Sequence, residues 1–327
     1  MPDTEQKFYP YFDAENCVID FDGMMSTLDR DAKEGDVILL HACAHNPTGL
    51  DPSQAQWRAV ADLCERKGLF PFFDSAYQGF ASGNPDTDAW AVRHFVERGT
   101  MEMCVAQSFS KNFGLYGQRV GAFHLLTSSP DARDRAYGLL ADLQRGEISM
   151  PPIYGARIVD MILRDAELYK SWQADLITMA DRIKGMRKMW YDELVRLGTP
   201  GNWEHIVKQS GMFSYTGLTV EQVAKLKERH VYMLKSGRAS ISGLNAENVV
   251  VVAKVIDEVV RATAATEGVV GHSAAKVNGK SNGHANGHLN RNADDVHSNG
   301  VNKENILDEP HIVPEAATNR EFAKVDA

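Results

Sequence analysis

Three short apolar runs, each followed by polar or charged residues, constrain the fold of this chain more than any other feature. The runs cover residues 37–41, 69–73 and 103–106, and their length is that of buried β-strands. Between the first two runs, residues 53–67 begin with a helix-capping serine and are followed by Gly68, a pattern that predicts a helix. Alternating strands and helices are typical of an α/β protein, in which ligands bind beyond the carboxyl ends of the strands. We therefore expect the residues after these runs to form a site.

The third run leads into a lysine that has hydroxyl neighbours. Residues 107–121 read QSFSKNFGLYGQRVG and contain Lys111, Ser108, Ser110 and Arg119. A lysine at the end of a buried strand can lose its proton and attack an aldehyde, while two hydroxyls and a guanidinium suit a phosphate dianion. Aldehyde and phosphate together describe pyridoxal phosphate. Taken alone, an S-x-S-K motif is more often an ordinary polar loop.

Two upstream segments favour the interpretation as a cofactor site. Residues 41–49 read HACAHNPTG, and residues 70–80 read FPFFDSAYQGF. With the lysine segment, their order and spacing resemble the class I aspartate aminotransferase family over residues 8–267. The resemblance implies an α/β fold, the fold type I of pyridoxal-phosphate-dependent transferases. A large domain with a mixed, mostly parallel sheet would be joined to a smaller α+β domain. It also implies a homodimer that transfers amino groups between aspartate or glutamate and 2-oxo acids.

The resemblance assigns a role to each polar residue of these segments. Lys111 would bind the cofactor aldehyde covalently and then move a proton as general base and acid. Asp74 would pair with the pyridinium nitrogen and keep it protonated, so that the ring accepts electrons. Tyr77 and Asn46 would donate hydrogen bonds to the phenolic oxygen of the cofactor. The phosphate would be bound by Ser108, Ser110 and Arg119.

Arginines are expected to determine the substrate, because a guanidinium binds a carboxylate bidentately. Residues 237–240 read GRAS and resemble the family's G-R-x-S segment, so Arg238, with Asn46, would bind the substrate α-carboxylate. Arg145 matches the family arginine that reaches across the dimer to the distal carboxylate. In that role it selects aspartate or glutamate, whereas an enzyme without it would prefer neutral or aromatic side chains. For both arginines the alternative is a surface salt bridge.

Other residues near the strand ends are expected to be structural. His41 and His45 are predicted to be packed and hydrogen-bonded rather than catalytic. Phe72 and Phe73 are predicted to belong to the core.

Composition limits the partners and the compartment. The chain has 327 residues, 43% of them hydrophobic, and a net charge of −9, which suit a sizeable core and argue against nucleic acid or an anionic membrane as partner. Four cysteines without C-x-x-C spacing indicate reduced, packed thiols in a cytoplasmic protein, and no metal site. No apolar run approaches the ~20 residues that span a bilayer, and residues 1–13 resemble neither a signal peptide nor a transit peptide.

Three parts are predicted along the chain. Residues 1–178 would form the remainder of the large domain, residues 179–267 the small domain, and residues 268–327 a disordered tail with few apolar groups. Apolar residues at three- and four-residue steps predict a linking helix over about residues 165–197.

Within the predicted small domain, shorter patterns indicate two strands and a closing helix. The strands are expected at residues 212–218 and 230–234, and the helix at residues 246–265. In the predicted tail, histidines such as His284 and His288 are interpreted as part of a solvated coil rather than a metal site.

Relative to this family, the motifs begin early in the chain. Family members carry an additional N-terminal third, with a Ser-Gly-Thr-like turn that cups the phosphate and an aromatic residue that stacks on the cofactor ring. Residues 1–40 contain only Gly23 and Gly35 and no glycine-rich turn of that kind. We therefore expect a shortened aminotransferase, from a truncated gene model or a degenerate paralogue.

Three functions remain open from sequence. The first is transamination of aspartate or glutamate with lysine-bound pyridoxal phosphate. The second is a catalytically impaired relative that serves as an interaction subunit. The third is an aminotransferase with another amino-acid substrate.

Overall fold

Strands and helices alternate through residues 5–267, the part of the chain that the computed structural model describes. The strands are β1 (Phe12–Asp13), β2 (Val18–Ile19), β3 (Val37–His41), β4 (Phe70–Ser75), β5 (Met103–Ser108), β6 (Gly121–Leu126), β7 (Phe213–Tyr215) and β8 (Arg238–Ser240). The helices are α1 (Phe21–Asp31), α2 (Gln54–Lys67), α3 (Pro85–Asp88), α4 (Trp90–Arg98), α5 (Pro130–Glu147), α6 (Tyr154–Arg164), α7 (Ala166–Leu197), α8 (His205–Lys208), α9 (Val220–Glu228) and α10 (Asn248–Glu267). The predicted disordered tail and its histidines lie outside the described residues.

A four-stranded sheet carries the three apolar runs. Its order is β3-β4-β5-β6, with β3, β4 and β5 parallel and β6 antiparallel to β5, which confirms the predicted mixed, mostly parallel sheet. The parallel register places His41 opposite Asp74 and Asp74 opposite Ala106. The carboxyl ends of three strands therefore meet at one edge, as expected. Strands β4 and β5 extend to Ser75 and Ser108, beyond the apolar residues that predicted them.

Helix α2 begins and ends as its sequence predicts. The Ser53 hydroxyl accepts a hydrogen bond from the backbone N–H of Gln56, and the Gln56 side chain accepts one from the N–H of Ser53. Such a cap stabilises a helix by about 1 kcal/mol. The helix ends at Gly68, whose φ of 63° is in the left-handed region. The buried Trp57 of this helix packs against Phe73 of the sheet, with ring centroids 5.8 Å apart.

The long linking helix predicted near residues 165–197 is α7, Ala166–Leu197, which Asp165 caps and Gly198 ends. Two residues of the predicted apolar stripe, Leu168 and Met179, are 42% and 36% exposed, so the buried face is narrower than the pattern indicated. It includes an arginine as well as apolar side chains: Leu176, Ala180, Ile183, Arg187, Trp190 and Leu194.

The strand predicted at residues 230–234 is wrong. These residues form no strand, and the partner of β7 is β8, Arg238–Ser240. Val231 and Met233 pack against the core while Tyr232 is 71% exposed. This segment therefore alternates as a strand does, but its one hydrogen bond to β8, from the N–H of Leu234 to the carbonyl of Arg238, does not make it part of a sheet. The strand predicted at 212–218 is shorter, Phe213–Tyr215, and the helix predicted at 246–265 is α10.

Besides a smaller cluster of Phe109, Val120, Ala122 and Val159, two large hydrophobic cores organise the described residues. One lies between the four-stranded sheet and helices α1, α2 and α4. The other joins α7, α9 and α10, and it also contains Ala44, Tyr77 and Phe80 from the loops that follow β3 and β4. Those loops are therefore fixed by both cores. The predicted domain boundary at residues 178–179 falls inside the continuous helix α7 and stays a prediction.

The cysteines fit a further expectation from composition. All four cysteines are free thiols, and Cys43, Cys64 and Cys104 are buried, as predicted. Burial raises the pKa of Cys64 to about 12, so its thiol is unreactive. None of the helices within residues 5–267 is long and apolar enough to cross a membrane.

Candidate active site

The loops that follow β3, β4 and β5 bring most of the predicted site residues to one edge of the sheet. A hydrogen bond of 2.9 Å from the backbone N–H of Ala42 to the carbonyl of Asp74 extends the parallel pairing past the end of β3. Asn46 lies in the loop after β3, and Tyr77 lies two residues after the end of β4. Lys111 follows β5. The sheet thus converts three distant segments into neighbours.

The lysine and the tyrosine are in contact. The Lys111 Nζ atom lies 4.9 Å from the centroid of the Tyr77 ring, within the range of a cation–π interaction. Tyr77 is buried, and burial together with the Asp74 carboxylate raises the pKa of its phenol. Arg238 and a hydrogen bond with Asn46 act in the opposite direction. The phenol therefore keeps its proton at neutral pH and is available as a hydrogen-bond donor.

Arg238 joins this cluster from the second core, although it is 192 residues from Asn46 in sequence. Its Nη1 donates a hydrogen bond of 2.7 Å to Asn46 Oδ1. Its guanidinium carbon lies 4.3 Å from the centroid of the Phe213 ring, which in turn meets the Tyr77 ring edge-on at 5.8 Å. The Arg238 guanidinium is thus held between the Asn46 amide and the face of the Phe213 ring. This places a planar cation beside the cluster of Tyr77 and Lys111.

His41 links Asp74 to Asn46, a contact that sequence reasoning missed. Burial lowers the pKa of His41, against the opposing effects of Asp74 and Asp51, so the ring is neutral at pH 7. Its Nδ1 accepts a hydrogen bond of 3.3 Å from the backbone N–H of Asn46, and its proton is therefore on Nε2. The position of His41 at the end of the first apolar run was the sequence signal for this contact, because the last residue of β3 lies opposite Asp74 in the parallel register.

His45 is packed, as predicted. Its ring stacks on Tyr11 with centroids 4.0 Å apart, and its Nδ1 lies 2.8 Å from the Thr48 hydroxyl. Burial, with a smaller effect of His41, lowers the pKa of His45 to about 3. Both histidine side chains are thus neutral and packed against the loop that contains Asn46.

The hairpin of β5 and β6 places the predicted phosphate-binding residues near one another. Ser108 pairs with Gly121 across the two strands, and the Ser108 hydroxyl accepts a hydrogen bond of 3.2 Å from the N–H of Ser110. Arg119, two residues before Gly121, has a left-handed backbone with a φ of 50° and donates to the Tyr116 carbonyl. Two hydroxyls and a guanidinium therefore occupy the same end of this hairpin.

A second layer of amides fixes the lysine segment. Asn112, which is buried, donates through Nδ2 to the carbonyl of Gln78 at 3.3 Å, and its own carbonyl accepts a hydrogen bond of 2.9 Å from Trp172 of α7. Gln107 donates to the Gln78 side chain at 2.6 Å. These contacts connect the residues beside Lys111 with the residue after Tyr77. No periodicity in the sequence predicts them.

Arg145 lies apart from this cluster. It occupies the last turn of the exposed helix α5 and donates to the Ser149 hydroxyl at 2.5 Å. Among residues 5–267, none of the contacts found for Arg145 reaches the residues around Lys111. The structure therefore brings together eight of the nine predicted site residues and leaves Arg145 outside.

Comparison with known proteins explains this arrangement. Residues 3–256 match the family described as aminotransferase class I and II. The L-tyrosine:2-oxoglutarate aminotransferase of Aspergillus ustus is 54% identical over 256 residues, which are 77% of this chain and 49% of that protein. The cytoplasmic aspartate aminotransferase of Saccharomyces cerevisiae is 49% identical over 260 residues, 77% of this chain and 62% of that protein. Other relatives carry mitochondrial or chloroplastic in their names.

Solved structures show the same likeness. The aromatic-amino-acid aminotransferase from Burkholderia pseudomallei, covalently bound to pyridoxal phosphate, superposes with a TM-score of 0.74 at 41% identity, over 77% of this chain and 63% of that one. This chain thus spans between about half and two thirds of the length of these proteins, and the fold predicted from the motifs is confirmed. The chain belongs to the class I and II aminotransferase family.

Proposed function

We propose that this chain binds pyridoxal phosphate at Lys111 and transfers amino groups between amino acids and 2-oxo acids. The observation that carries the proposal is the convergence of four chemically distinct groups from separate segments. The amine of Lys111, the phenol of Tyr77, the amide of Asn46 and the guanidinium of Arg238 form one continuous cluster. This set contains both a nucleophile for an aldehyde and a cation for a carboxylate.

The donor set around Lys111 fits the cofactor group by group. A primary amine suits the aldehyde, the carboxylate of Asp74 suits the ring nitrogen, and the neutral donors Tyr77 and Asn46 suit the phenolic oxygen. The phosphate would be bound by Ser108, Ser110 and Arg119. When bound, the cofactor accepts the electron pair that remains on the substrate Cα after its proton is removed.

The protein supplies the proton movements and the orientation. Lys111 Nζ would take the proton from the substrate Cα and return it, which requires an amine that is neutral when it acts. Tyr77 would remain a donor throughout, because burial raises the pKa of its phenol. His41, neutral and next to Asp74, would exclude water from that carboxylate and leave its negative charge for the ring nitrogen.

The substrate would be oriented by Arg238. The guanidinium presents a planar fork that matches a carboxylate, and its stacking on Phe213 and its bond to Asn46 hold it in place. For aspartate or glutamate a second cation is needed, and we assign that role to Arg145 of the other subunit in a homodimer.

An exposed apolar surface on α5 and the loop after it supports the dimer. Helix α5 has no buried residue, and its Tyr137 and Leu139 are 61% and 62% exposed. Met150 is 81% exposed. Apolar groups exposed together in this way mark protein interaction sites. We place the dimer interface there, next to Arg145, and we expect a cytoplasmic protein, as the name of the yeast relative suggests.

A second candidate is the transamination of aromatic amino acids. It is favoured by the Aspergillus relative, whose name gives L-tyrosine and 2-oxoglutarate as substrates. Both candidates use Arg238 for the α-carboxylate, and they differ in whether the amino-acid side chain needs Arg145.

Cofactor binding tests the proposal directly. The purified chain titrated with pyridoxal phosphate should develop a visible absorption band of the lysine-bound cofactor, and Lys111→Ala should abolish it. Lys188→Ala is the matched control, because Lys188 is an exposed lysine paired with Asp192 on α7. Absence of the band at saturating cofactor would contradict the enzymatic function and favour the impaired interaction subunit.

A further inference from the structure

A buried arginine of helix α7 binds carbonyl groups instead of a carboxylate. Arg187 is only 3% exposed. Its Nη1 donates to the carbonyl of Ile206 at 2.9 Å, and its Nη2 donates to the carbonyls of Ser210 at 3.2 Å, Gly211 at 2.9 Å and Phe213. Among residues 5–267, no ion pair of Arg187 is found. Four backbone groups of one segment, residues 206–213, thus depend on a single side chain.

The choice of arginine follows from the number of acceptors. A guanidinium has five N–H groups in a rigid fork, whereas a lysine ammonium has three on one atom. Burial lowers the pKa of Arg187 to about 10, which still leaves it protonated at neutral pH. The buried charge is therefore stabilised by the carbonyl dipoles of residues 206–213, and these carbonyls in turn accept hydrogen bonds from the guanidinium.

The opposite side of this segment is packed tightly against the loop of Asn46. The N–H of Ser210 donates to the carbonyl of Gly49 at 2.6 Å, and the Ser210 hydroxyl donates to the Asp51 carboxylate at 3.2 Å. A Cβ atom on Gly211 would lie 2.5 Å from the Cβ of Ala44. The segment therefore has no room to relax toward that loop if its anchor on α7 is lost, and any movement must be transmitted along the chain.

Phe213 is where such movement would reach the site. Its carbonyl is bound by Arg187, while its ring contacts the guanidinium of Arg238 and the ring of Tyr77. Phe213 also pairs with Ser240 in the two-stranded sheet that contains Arg238. The backbone position of Phe213 thus sets both the stacking surface and the strand of Arg238.

We propose that Arg187 is a positioning residue for substrate binding: it fixes the backbone of Phe213 and thereby holds the Arg238 guanidinium over the Phe213 ring and against Asn46. The assignment of Arg238 to the substrate carboxylate rests on the proposed function, but the coupling between Arg187 and Arg238 does not. The coupling can therefore be measured without cofactor.

A double-mutant cycle on stability tests the coupling. Urea unfolding midpoints are measured for the parent chain, Arg187→Lys, Arg238→Ala and the double variant, without cofactor. We expect the midpoint shift caused by Arg238→Ala to be at least halved in the Arg187→Lys background, since contacting networks are not additive. Additive shifts would overturn the proposal. Arg187→Gln serves as the second variant if Arg187→Lys fails to fold.

Arg261 provides the matched control on the neighbouring helix α10. It donates to the carbonyls of Leu197 and Gly198 at the end of α7, and none of the contacts found for it within residues 5–267 involves residues 206–213. Arg261→Lys should destabilise the protein while leaving the shift from Arg238→Ala unchanged.

The cofactor-loaded protein gives an independent readout. Arg187→Lys should raise KM for the amino-acid substrate about tenfold and leave kcat within about threefold of the parent value. A displaced Arg238 would bind the substrate carboxylate more weakly in the ground state, which raises KM rather than lowering kcat. The affinity for pyridoxal phosphate should stay unchanged. If the parent chain shows the cofactor band and Arg187→Lys has the same KM as the parent, the positioning role is overturned and the proposed function stands. If the parent chain shows no band, only the proposed function is refuted.

Discussion

At the scale of single residues, the site is built from groups whose charge is set by burial. Tyr77 is kept neutral because burial and Asp74 raise the pKa of its phenol. His41 and His45 are neutral because burial lowers the pKa of each ring. Asp74 thus lies opposite a neutral His41, and Arg238 is bound by the neutral amide of Asn46. In the proposed function, both charges would be available for a ligand with a cationic ring nitrogen and a carboxylate.

The neutrality of His45 predicts how stability depends on pH. The pKa of His45 is about 3 in the folded protein, whereas an unperturbed histidine, as in the unfolded chain, has a pKa of 6.5. Between these two pH values the unfolded chain therefore binds a proton that the folded chain does not. Stability therefore falls as pH decreases below about 6.5, with a contribution from this ring of at most about 1.4 kcal/mol per pH unit.

Urea unfolding at pH 7.5 and pH 5 measures this dependence. The parent chain should lose more stability over the interval than His45→Gln, which cannot titrate but can still meet the Thr48 hydroxyl. Equal losses in the two proteins would show that His45 is not buried in its neutral form.

At the scale of elements, strand ends and helix caps were predictable because local chemistry decides them. The three apolar runs gave β3, β4 and β5, and the serine and glycine around α2 gave its limits. Since parallel strands share an edge, the convergence of the loops with Asn46, Tyr77 and Lys111 followed from the strands alone.

Other elements depend on contacts that have no local signal. The strand predicted at 230–234 has the right alternation but no neighbouring strand, while β8 is three residues of RAS that pair with β7. The bond from Arg238 to Asn46 spans 192 residues. The amide contacts of Asn112, Gln78 and Gln107 likewise arise only after folding.

The β5–β6 hairpin yields a prediction at this scale. A Cβ on Gly121 would lie 2.5 Å from the carbonyl oxygen of Gln107, so Gly121→Ala must separate the two strands. We expect a loss of about 1–3 kcal/mol of stability and weaker binding of pyridoxal phosphate, because Ser108 and Arg119 move apart. Urea unfolding and absorbance titration measure the two effects.

Gly117 offers the control within the same hairpin. A Cβ there meets nothing within 4 Å, so Gly117→Ala should change stability by no more than about 0.5 kcal/mol. If both variants behaved alike, the close approach of β5 and β6 would not be what holds the proposed phosphate-binding residues together.

At the scale of the whole molecule, the site lies where two cores meet. Ala44, Tyr77 and Phe80 belong to the core of α7, α9 and α10, although their loops start from the sheet. Arg145 is outside this arrangement, on a helix whose side chains are all at least partly exposed. In the proposed function, a single chain would hold the residues for the cofactor and the α-carboxylate, and Arg145 of a second chain would bind the distal carboxylate of aspartate or glutamate.

Mixing two inactive variants tests whether Arg145 acts across a dimer. Lys111→Ala and Arg145→Ala should each lack aspartate transamination. A hybrid dimer, however, has one site that combines an intact Lys111 with an intact Arg145 from the other chain. After random exchange of equal amounts, half of the dimers are hybrids, so about one quarter of the parent activity should return.

Two further measurements make this outcome specific. Analytical ultracentrifugation should show dimers in each preparation, and Met150→Glu on the exposed apolar surface should reduce both dimer content and the recovered activity. Arg145→Ala alone should retain activity toward L-tyrosine, because an aromatic side chain needs no distal cation. If the mixture stayed inactive while the dimers exchanged, Arg145 would serve the site of its own chain. If Arg145→Ala turned over aspartate as the parent does, Arg145 would not be the residue that binds the distal carboxylate.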